Sequence, residues 1–166
     1  MRKIKLTKKD FNSLVDSLVS KTKVYAPQAD SNKPDCFELA ELADSKDLRL
    51  DYDVILQAPR KFFQPPEEDM LSFEVKGAYK SIYADESFVL LGIHPYDMIA
   101  INQADELFGQ DNYDAHYFAR RNKATIIVSD VITASENVFA SSMNTATVDK
   151  GYDVLVTDIG DGYVLE

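Results

Sequence analysis

The stretch GIHPYDMIAI, residues 92–101, places a histidine, a tyrosine and an aspartate at the start of a predicted helix. If Pro95 is the first helical residue, Asp97 is the third and caps the helix N-terminus. The free N–H groups there can bind an anion, so His94, Tyr96 and Asp97 form a candidate pocket for a flavin phosphate or a partner's carboxylate. The alternative is a structural corner, in which Asp97 only caps the helix and Tyr96 only fills space.

The remaining reactive side chains show no pattern that indicates catalysis or a metal site. His94 and His116 are the two histidines, and their separation fits no common pattern of metal ligands. The hydroxyl groups of residues 141–147 have no histidine or lysine nearby in sequence to activate them. The sequence therefore predicts no catalytic residue and no metal ligand, and it leaves open an enzyme that uses Tyr96 or His94 as a general acid.

Composition excludes several classes of partner. The net charge of −10 argues against binding to nucleic acid or to an anionic membrane surface. No apolar run approaches the roughly 20 residues of a transmembrane helix. A single cysteine, Cys36, excludes an internal disulfide and suits a reducing compartment. We therefore expect a cytoplasmic protein with neither a nucleic-acid nor a membrane partner.

The first half of the chain begins with a helix and continues with segments of β character. Residues 7–20 repeat apolar side chains at helical spacing, with Thr7 as N-cap and Asp10 as its acidic partner. A polar loop over residues 26–35 follows. The segments CFELA, LRLDYDVIL and LSFEV then predict strands.

The second half alternates buried strands with helices. The apolar runs 88–93 and 124–132 predict central strands, and a helix over residues 95–108 with Leu107 on its buried stripe lies between them. DNYDAHYFARRN predicts a second helix capped by Asp111. GYDVLVTDIGDGYVLE predicts a hairpin that turns at Asp161–Gly162 and lies antiparallel at one side of the sheet. If this hairpin is an exposed edge, a partner or a further domain can add to it.

These elements predict an α/β fold, with α+β as the alternative: a mixed sheet flanked by helices, with a strand-rich N-terminal half. We expect a single domain over residues 1–166, with a helical and strand-rich part at 1–80 and an α/β part at 81–166. We also expect this domain to be the N-terminal part of a longer protein.

Five segments resemble one known family. They are RKFFQPPEED, VLLGIHPYDMIAI, IIVSDV, NVFASSMNT and GYDVLVTDIGDGYVLE, in similar order and spacing. They resemble the N-terminal region of the beta-subunit family of cytoplasmic hydrogenase/sulfur reductase complexes, a family with a member in anaerobic sulfite reductase. The resemblance covers about residues 55–166.

The resemblance implies an iron–sulfur electron-transfer subunit. In the family, this region precedes a ferredoxin-like domain with two 4Fe-4S clusters, and the complex passes electrons between a flavin subunit and a catalytic subunit. The implied partners are those two subunits, and the implied clusters would lie in a C-terminal extension. Family members also have cysteines within this region that are suited to hold a further cluster.

This chain departs from the family at those cysteine positions. They are occupied by Tyr96, Val131, Val138 and Ala140. Tyrosine is a poor ligand for a cluster that prefers thiolates, and valine and alanine cannot act as ligands. We therefore expect this chain to bind no cluster and no other cofactor.

Two functions of different class follow. The first is a non-catalytic domain of an oxidoreductase complex that acts by docking and by positioning its partners. The alternative is a stand-alone binding or regulatory module that has lost its metal chemistry. A cysteine-rich segment after residue 166 in the parent gene would favour the first function.

Overall fold

A seven-stranded mixed sheet organises the computed structural model, which describes residues 3–30, 33 and 36–166. The strands are β1 Ile4–Thr7, β2 Lys23–Ala29, β3 Phe37–Glu41, β4 Leu71–Phe73, β5 Tyr79–Ser81, β6 Phe88–Ile93, β7 Ala124–Ser129, β8 Val154–Asp158 and β9 Gly162–Leu165. The α-helices are α1 Lys8–Val19, α2 Pro95–Phe108 and α3 Ala115–Arg121, and Ser45–Asp47 and Pro59–Phe62 are short 3₁₀ helices. The predicted mixed sheet flanked by helices is confirmed.

The order of the large sheet is β1-β9-β8-β7-β6-β2-β3, while β4 and β5 form a separate two-stranded sheet. Strands β2, β6, β7 and β8 are parallel, and the outer strands pair antiparallel. Strands β6 and β7 are central, as predicted. The C-terminal hairpin lies toward one side of the sheet, as predicted, but it is not an exposed edge, because β1 pairs with β9 along the register Ile4↔Leu165 and forms the edge itself.

Two hydrophobic cores lie on opposite faces of the sheet because side chains alternate along each strand. All six residues of β6 are buried. On one face, Leu90 and Ile126 pack with Met98 of α2 and Tyr117 of α3. On the other face, strand residues pack against α1; they are Val89, Leu91 and Ile127, with Phe11 and Val15 from the helix. The result is three layers, with helices on both faces of the sheet.

Helices α1 and α2 follow the sequence prediction closely. The N–H of Asp10 donates to Thr7 Oγ1 at 3.1 Å, and that hydroxyl donates to the Asp10 carboxylate at 2.7 Å. Helix α2 begins at Pro95 and ends before Gly109. The prediction that Leu107 lies on the buried stripe of this helix is wrong. Leu107 is exposed, because the side of the helix that faces the sheet runs through Met98 and Ile101.

Helix α3 is shorter than predicted and has a different cap. It begins at Ala115, and the carboxylate of Asp114 accepts from the N–H groups of His116 and Tyr117 at 2.9 and 3.0 Å. The predicted cap, Asp111, lies before the helix. The N–H of Asp114 donates to the carbonyl of Phe108, so residues 109–113 close the end of α2 instead of starting α3.

The predictions between residues 24 and 80 were less accurate. Residues 26–29 belong to β2, although a loop was predicted there; residues 31, 32, 34 and 35 of that predicted loop lie outside the described part. Pro27 is tolerated because the pairing of β2 with β6 ends at Tyr25↔Leu90, and Pro27 pairs only with β3. The predicted strand at 48–56 is wrong. That described segment is irregular and joins the sheet through the isolated bridge Phe37↔Ile55.

The C-terminal hairpin is confirmed, but its turn lies one residue earlier than predicted. The N–H of Ile159 donates to the carbonyl of Gly162 at 3.0 Å, which makes Gly160 and Asp161 the central residues. Gly160 has a φ of +87°. A positive φ at Gly160 without a positive φ at Asp161 is typical of a type II′ turn, which suits a hairpin and favours glycine at its first central position.

Candidate functional site

The candidate site lies where β6 ends and α2 begins. Gly92 has a φ of +81° and interrupts the pairing of β6 with β7, so that Leu91 and Ile93 flank a bulge. A side chain at this position would meet Leu50, whose Cδ2 lies 2.6 Å from an ideal Cβ. The bulge turns the chain toward His94 and requires glycine for both reasons.

His94 is fully buried at this corner and joins three parts of the chain. Its Nδ1 lies 3.2 Å from the carbonyl oxygen of Ser129, and its Nε2 lies 3.2 Å from that of Tyr52. The ring stacks on Tyr52 with centroids 3.9 Å apart. Burial lowers the pKa of His94, although the two carbonyl groups oppose that shift. The predicted ligand-binding histidine therefore holds β6, β7 and the irregular segment together and presents no surface to solvent.

Tyr96 points its hydroxyl group back to the same irregular segment. The phenol donates to the backbone carbonyl of Asp53 at 2.7 Å. Burial raises the pKa of Tyr96, and the carboxylates of Asp97 and Asp53 raise it further. The phenol is therefore a neutral hydrogen-bond donor at physiological pH.

Asp97 occupies the third position of α2, as predicted, but its carboxylate is not fully satisfied. One oxygen is buried without a hydrogen-bond partner among the described residues, and the same holds for one oxygen of Asp53. Burial raises the pKa of Asp97 to about 6. Two nearby carboxylates oppose the binding of an anion at this helix N-terminus. The electrostatics of the corner thus favour a neutral or apolar ligand over the predicted phosphate or carboxylate.

An apolar cavity of about 230 Å³ opens beside Tyr96. Its other lining residues come from the irregular segment and from the loop between β7 and β8: Val54, Asn137, Val138, Phe139, Ala140 and Thr145. The N–H of Thr145 donates to the carbonyl of Ala140 at 2.8 Å, which folds this loop around the cavity. Three of the predicted positions, Tyr96, Val138 and Ala140, therefore meet at one place. Val131 follows β7 and is not among the lining residues.

The chemistry of this lining does not fit an iron–sulfur cluster. Its polar groups are one phenol, one amide and one hydroxyl, and the phenol already donates to Asp53. Cys36 precedes β3 and does not line the cavity. Over residues 3–30, 33 and 36–166, no group of three or more His, Cys, Asp or Glu side chains is arranged to hold a metal ion. A four-iron cluster is held by thiolates, and none is present in the lining.

Sequence reasoning missed several residues of this site, and Tyr52 and Phe139 matter most. Tyr52 is fully buried and donates its hydroxyl to the carbonyl of Gly92 at 3.0 Å, which fixes the bulge. The feature of the sequence that could have indicated Tyr52 is an aromatic residue between Asp51 and Asp53, in a segment that was interpreted as a strand. Phe139 lies between two of the predicted positions and contributes an exposed ring to the cavity mouth. The feature of the sequence that could have indicated Phe139 is its position in NVFASSM, between Val138 and Ala140.

The chain is similar to a hydrogenase beta subunit. It is 27% identical over 165 residues to the beta subunit of sulfhydrogenase 2 from Pyrococcus furiosus, a match that covers 99% of this chain and 48% of that protein. The chain thus spans about half the length of this curated relative. No protein-family model and no solved structure matches the sequence.

This similarity supports the resemblance to hydrogenase beta subunits at a coarse level, and it extends over nearly the whole chain, including the first half, which had contributed little to the resemblance. In the part of the chain that the structure describes, no helix has the length and apolar character to cross a membrane.

Proposed function

We propose that this chain is part of an electron-transfer subunit of a redox complex of the hydrogenase or sulfite reductase type, and that it acts by docking and by positioning its partners. The proposed partners are a flavin subunit and a catalytic subunit. The similarity to a sulfhydrogenase beta subunit supports the assignment to a redox complex. In this proposal the chain itself carries out no chemical step.

The observation that carries the docking role is the apolar cavity beside Tyr96. Its mouth has an exposed apolar rim, in which Phe139 is 67% exposed and Val54 is also exposed. Leu56 and Met143, from the two chain segments that form the cavity, add further exposed apolar surface. A concave apolar site with such a rim suits an apolar side chain inserted by a partner, since interface energy concentrates in anchors that fill pockets.

The docking role is tested by filling the cavity. Ala140→Trp places a large ring at a lining position, and Ser141→Trp places the same ring at the neighbouring exposed position as a matched control. The protein is isolated with an affinity tag from its natural host. We expect wild type and Ser141→Trp to co-purify with a flavoprotein in stoichiometric amount and Ala140→Trp to lose it, with the same melting temperature for all three. Equal flavin content in the two variants would contradict a docking role for the cavity.

The proposal also holds that this chain binds no iron–sulfur cluster, so that the family's 4Fe-4S clusters would lie in other parts of the complex. The support is the absence of thiolates from the lining of the cavity. Iron and sulfide are measured on the chain alone after anaerobic purification and again after chemical reconstitution. We expect only substoichiometric iron that a short passage over chelating resin removes. Tightly bound iron in whole-number ratio to the protein would contradict this part of the proposal.

A further inference from the structure

The small sheet of β4 and β5 is an exposed hairpin with an apolar face. Every residue from 69 to 80 is exposed. Phe73, Val75 and Tyr79 are 73%, 94% and 77% exposed. A two-stranded hairpin is marginally stable in water unless one of its faces is covered. The hairpin therefore presents a surface that a partner would stabilise.

The pairing of the two strands concentrates the apolar side chains on one face. Phe73 lies opposite Tyr79 and Leu71 lies opposite Ser81, so these four residues share a face, while Ser72 and Lys80 share the other. The two rings alone expose on the order of 200–400 Å². A contiguous apolar patch of a few hundred Å² on a monomer often marks an interaction site.

Both ends of the hairpin are anchored on α3. The ring of Tyr83 packs against that of His116 with centroids 4.7 Å apart. Before the hairpin, Glu68 forms an ion pair with Arg120. The base is therefore fixed relative to the helices, while every residue from 71 to 80 is exposed.

A complementary surface lies next to this anchor, at the corner between α2 and α3. A cavity of about 440 Å³ has Leu107 and Phe108 in its lining together with Asp111 and Asp114. The side chain of Leu107 is exposed, and so is that of Tyr113 within the same corner. The corner thus combines apolar side chains with the carboxylates of two aspartates.

The hairpin and the corner also differ in charge. Residues 70–83 contain two lysines, Lys76 and Lys80, and one glutamate, in a chain whose net charge is −10. Asp114 lines the corner and also a neighbouring cavity that Met70 lines at the hairpin base, so both surfaces lie on the same side of the molecule. Two complementary patches on one face can pair twice about a two-fold axis.

We propose that a second copy of this chain occupies this face, and that the hairpin of each copy lies in the α2–α3 corner of the other. The apolar face of the hairpin covers Leu107 and Tyr113 of the second copy, and Lys76 at the tip approaches Asp111. The arrangement closes on itself and leaves the cavity beside Tyr96 uninvolved, so this proposal does not depend on the proposed function.

The oligomeric state tests the proposal. Sedimentation equilibrium of the chain should give a dimer for wild type and a monomer for Phe73→Ser. The matched control is Phe139→Ser, which removes an equally exposed ring elsewhere and should remain a dimer. Melting curves at low protein concentration should show both variants folded. A monomeric wild type at high micromolar concentration would overturn the proposal and leave the hairpin to a different protein or to a further part of a longer chain.

Charge reversal tests which surfaces meet. Lys76→Glu and Asp111→Lys should each weaken the dimer by about tenfold or more, because each creates like charges at both contacts of a homodimer. In an equimolar mixture, both contacts of the mixed dimer bring opposite charges together, so the mixture should dimerise as tightly as wild type. A dimer that survives Asp111→Lys unchanged, or a mixture no tighter than the separate variants, would overturn the pairing of hairpin with corner.

Discussion

Asp97 is a carboxylate whose burial has a measurable consequence. Its pKa is raised from 3.8 to about 6, so the folded protein binds this proton more tightly than the unfolded chain does. The stability that protonation contributes is complete below an ordinary aspartate pKa and is lost as the pH rises through about 6. At neutral pH the ionised side chain should cost about 3 kcal/mol of the free energy of unfolding.

We therefore predict that Asp97→Asn stabilises the protein at pH 7 by about 3 kcal/mol and gains nothing near pH 4. Urea unfolding across this pH range measures the difference. Asp149→Asn is a suitable control, since Asp149 is exposed on a loop. A parallel pH dependence for wild type and Asp97→Asn would show that Asp97 does not titrate in this range.

For single residues, the sequence predicted the place in a helix or strand better than it predicted the contacts that each side chain makes. Asp97 and Pro95 lie where the helix pattern requires them, because capping depends on residues close in sequence. The burial of His94 and the contacts of Tyr96 with Asp53 depend on a segment about forty residues upstream, and no local pattern encodes that contact. The resemblance grouped Tyr96, Val131, Val138 and Ala140, positions that local patterns cannot connect, and all of them except Val131 line the cavity.

The bulge in β6 is the structural element on which the corner depends. Gly92→Ala should destabilise the protein by two separate effects, a left-handed backbone that costs about 1–2 kcal/mol and a contact with Leu50. Gly160→Ala is the matched control, because Gly160 has a φ of +87° and nothing within 4 Å of its ideal Cβ.

We predict that Gly92→Ala lowers the free energy of unfolding by about 3 kcal/mol and Gly160→Ala by about 1–2 kcal/mol. Denaturant unfolding of both variants gives the two values, and their difference is the cost of the contact with Leu50. Equal losses would mean that Leu50 moves aside at no cost and that the bulge requires glycine for its backbone alone.

Helices and strands were predicted most accurately where their apolar side chains repeat over the longest stretches of sequence. Strands β6 and β7 and helices α1 and α2 have long apolar repeats and were predicted correctly. Residues 48–56 alternate apolar and charged side chains like a strand, yet Tyr52 is buried by stacking on His94 and not by strand pairing. The four residues of β1 were missed, because so short a strand is defined by its partner β9 and not by its own pattern.

Residues near the start of the described chain contact residues near its end. Strand β1 pairs with β9, and lysines near the start of the chain form ion pairs with acidic groups near its end: Lys3 with Glu166 at 2.5 Å, Lys5 with Asp161 at 3.0 Å and Lys8 with Asp158 at 3.6 Å. The sequence showed five basic residues within the first nine positions, in a chain of net charge −10. It could not show the partners of Lys3, Lys5 and Lys8, which are about 150 residues away along the chain.

These ion pairs predict how stability responds to charge and to salt. Lys5→Glu should lower the melting temperature by about 1–2 °C more than Lys9→Glu, because only Lys5 has an acidic partner within the described part of the chain and both variants change the net charge equally. The pair is exposed, so the difference should narrow as sodium chloride is raised toward 1 M, where the screening length is about 3 Å. Thermal unfolding at low and high salt measures both effects. Equal melting temperatures at low salt would mean that backbone pairing and apolar contacts hold β1 on the sheet, and a difference that persists at high salt would point to lost packing of the Lys5 side chain.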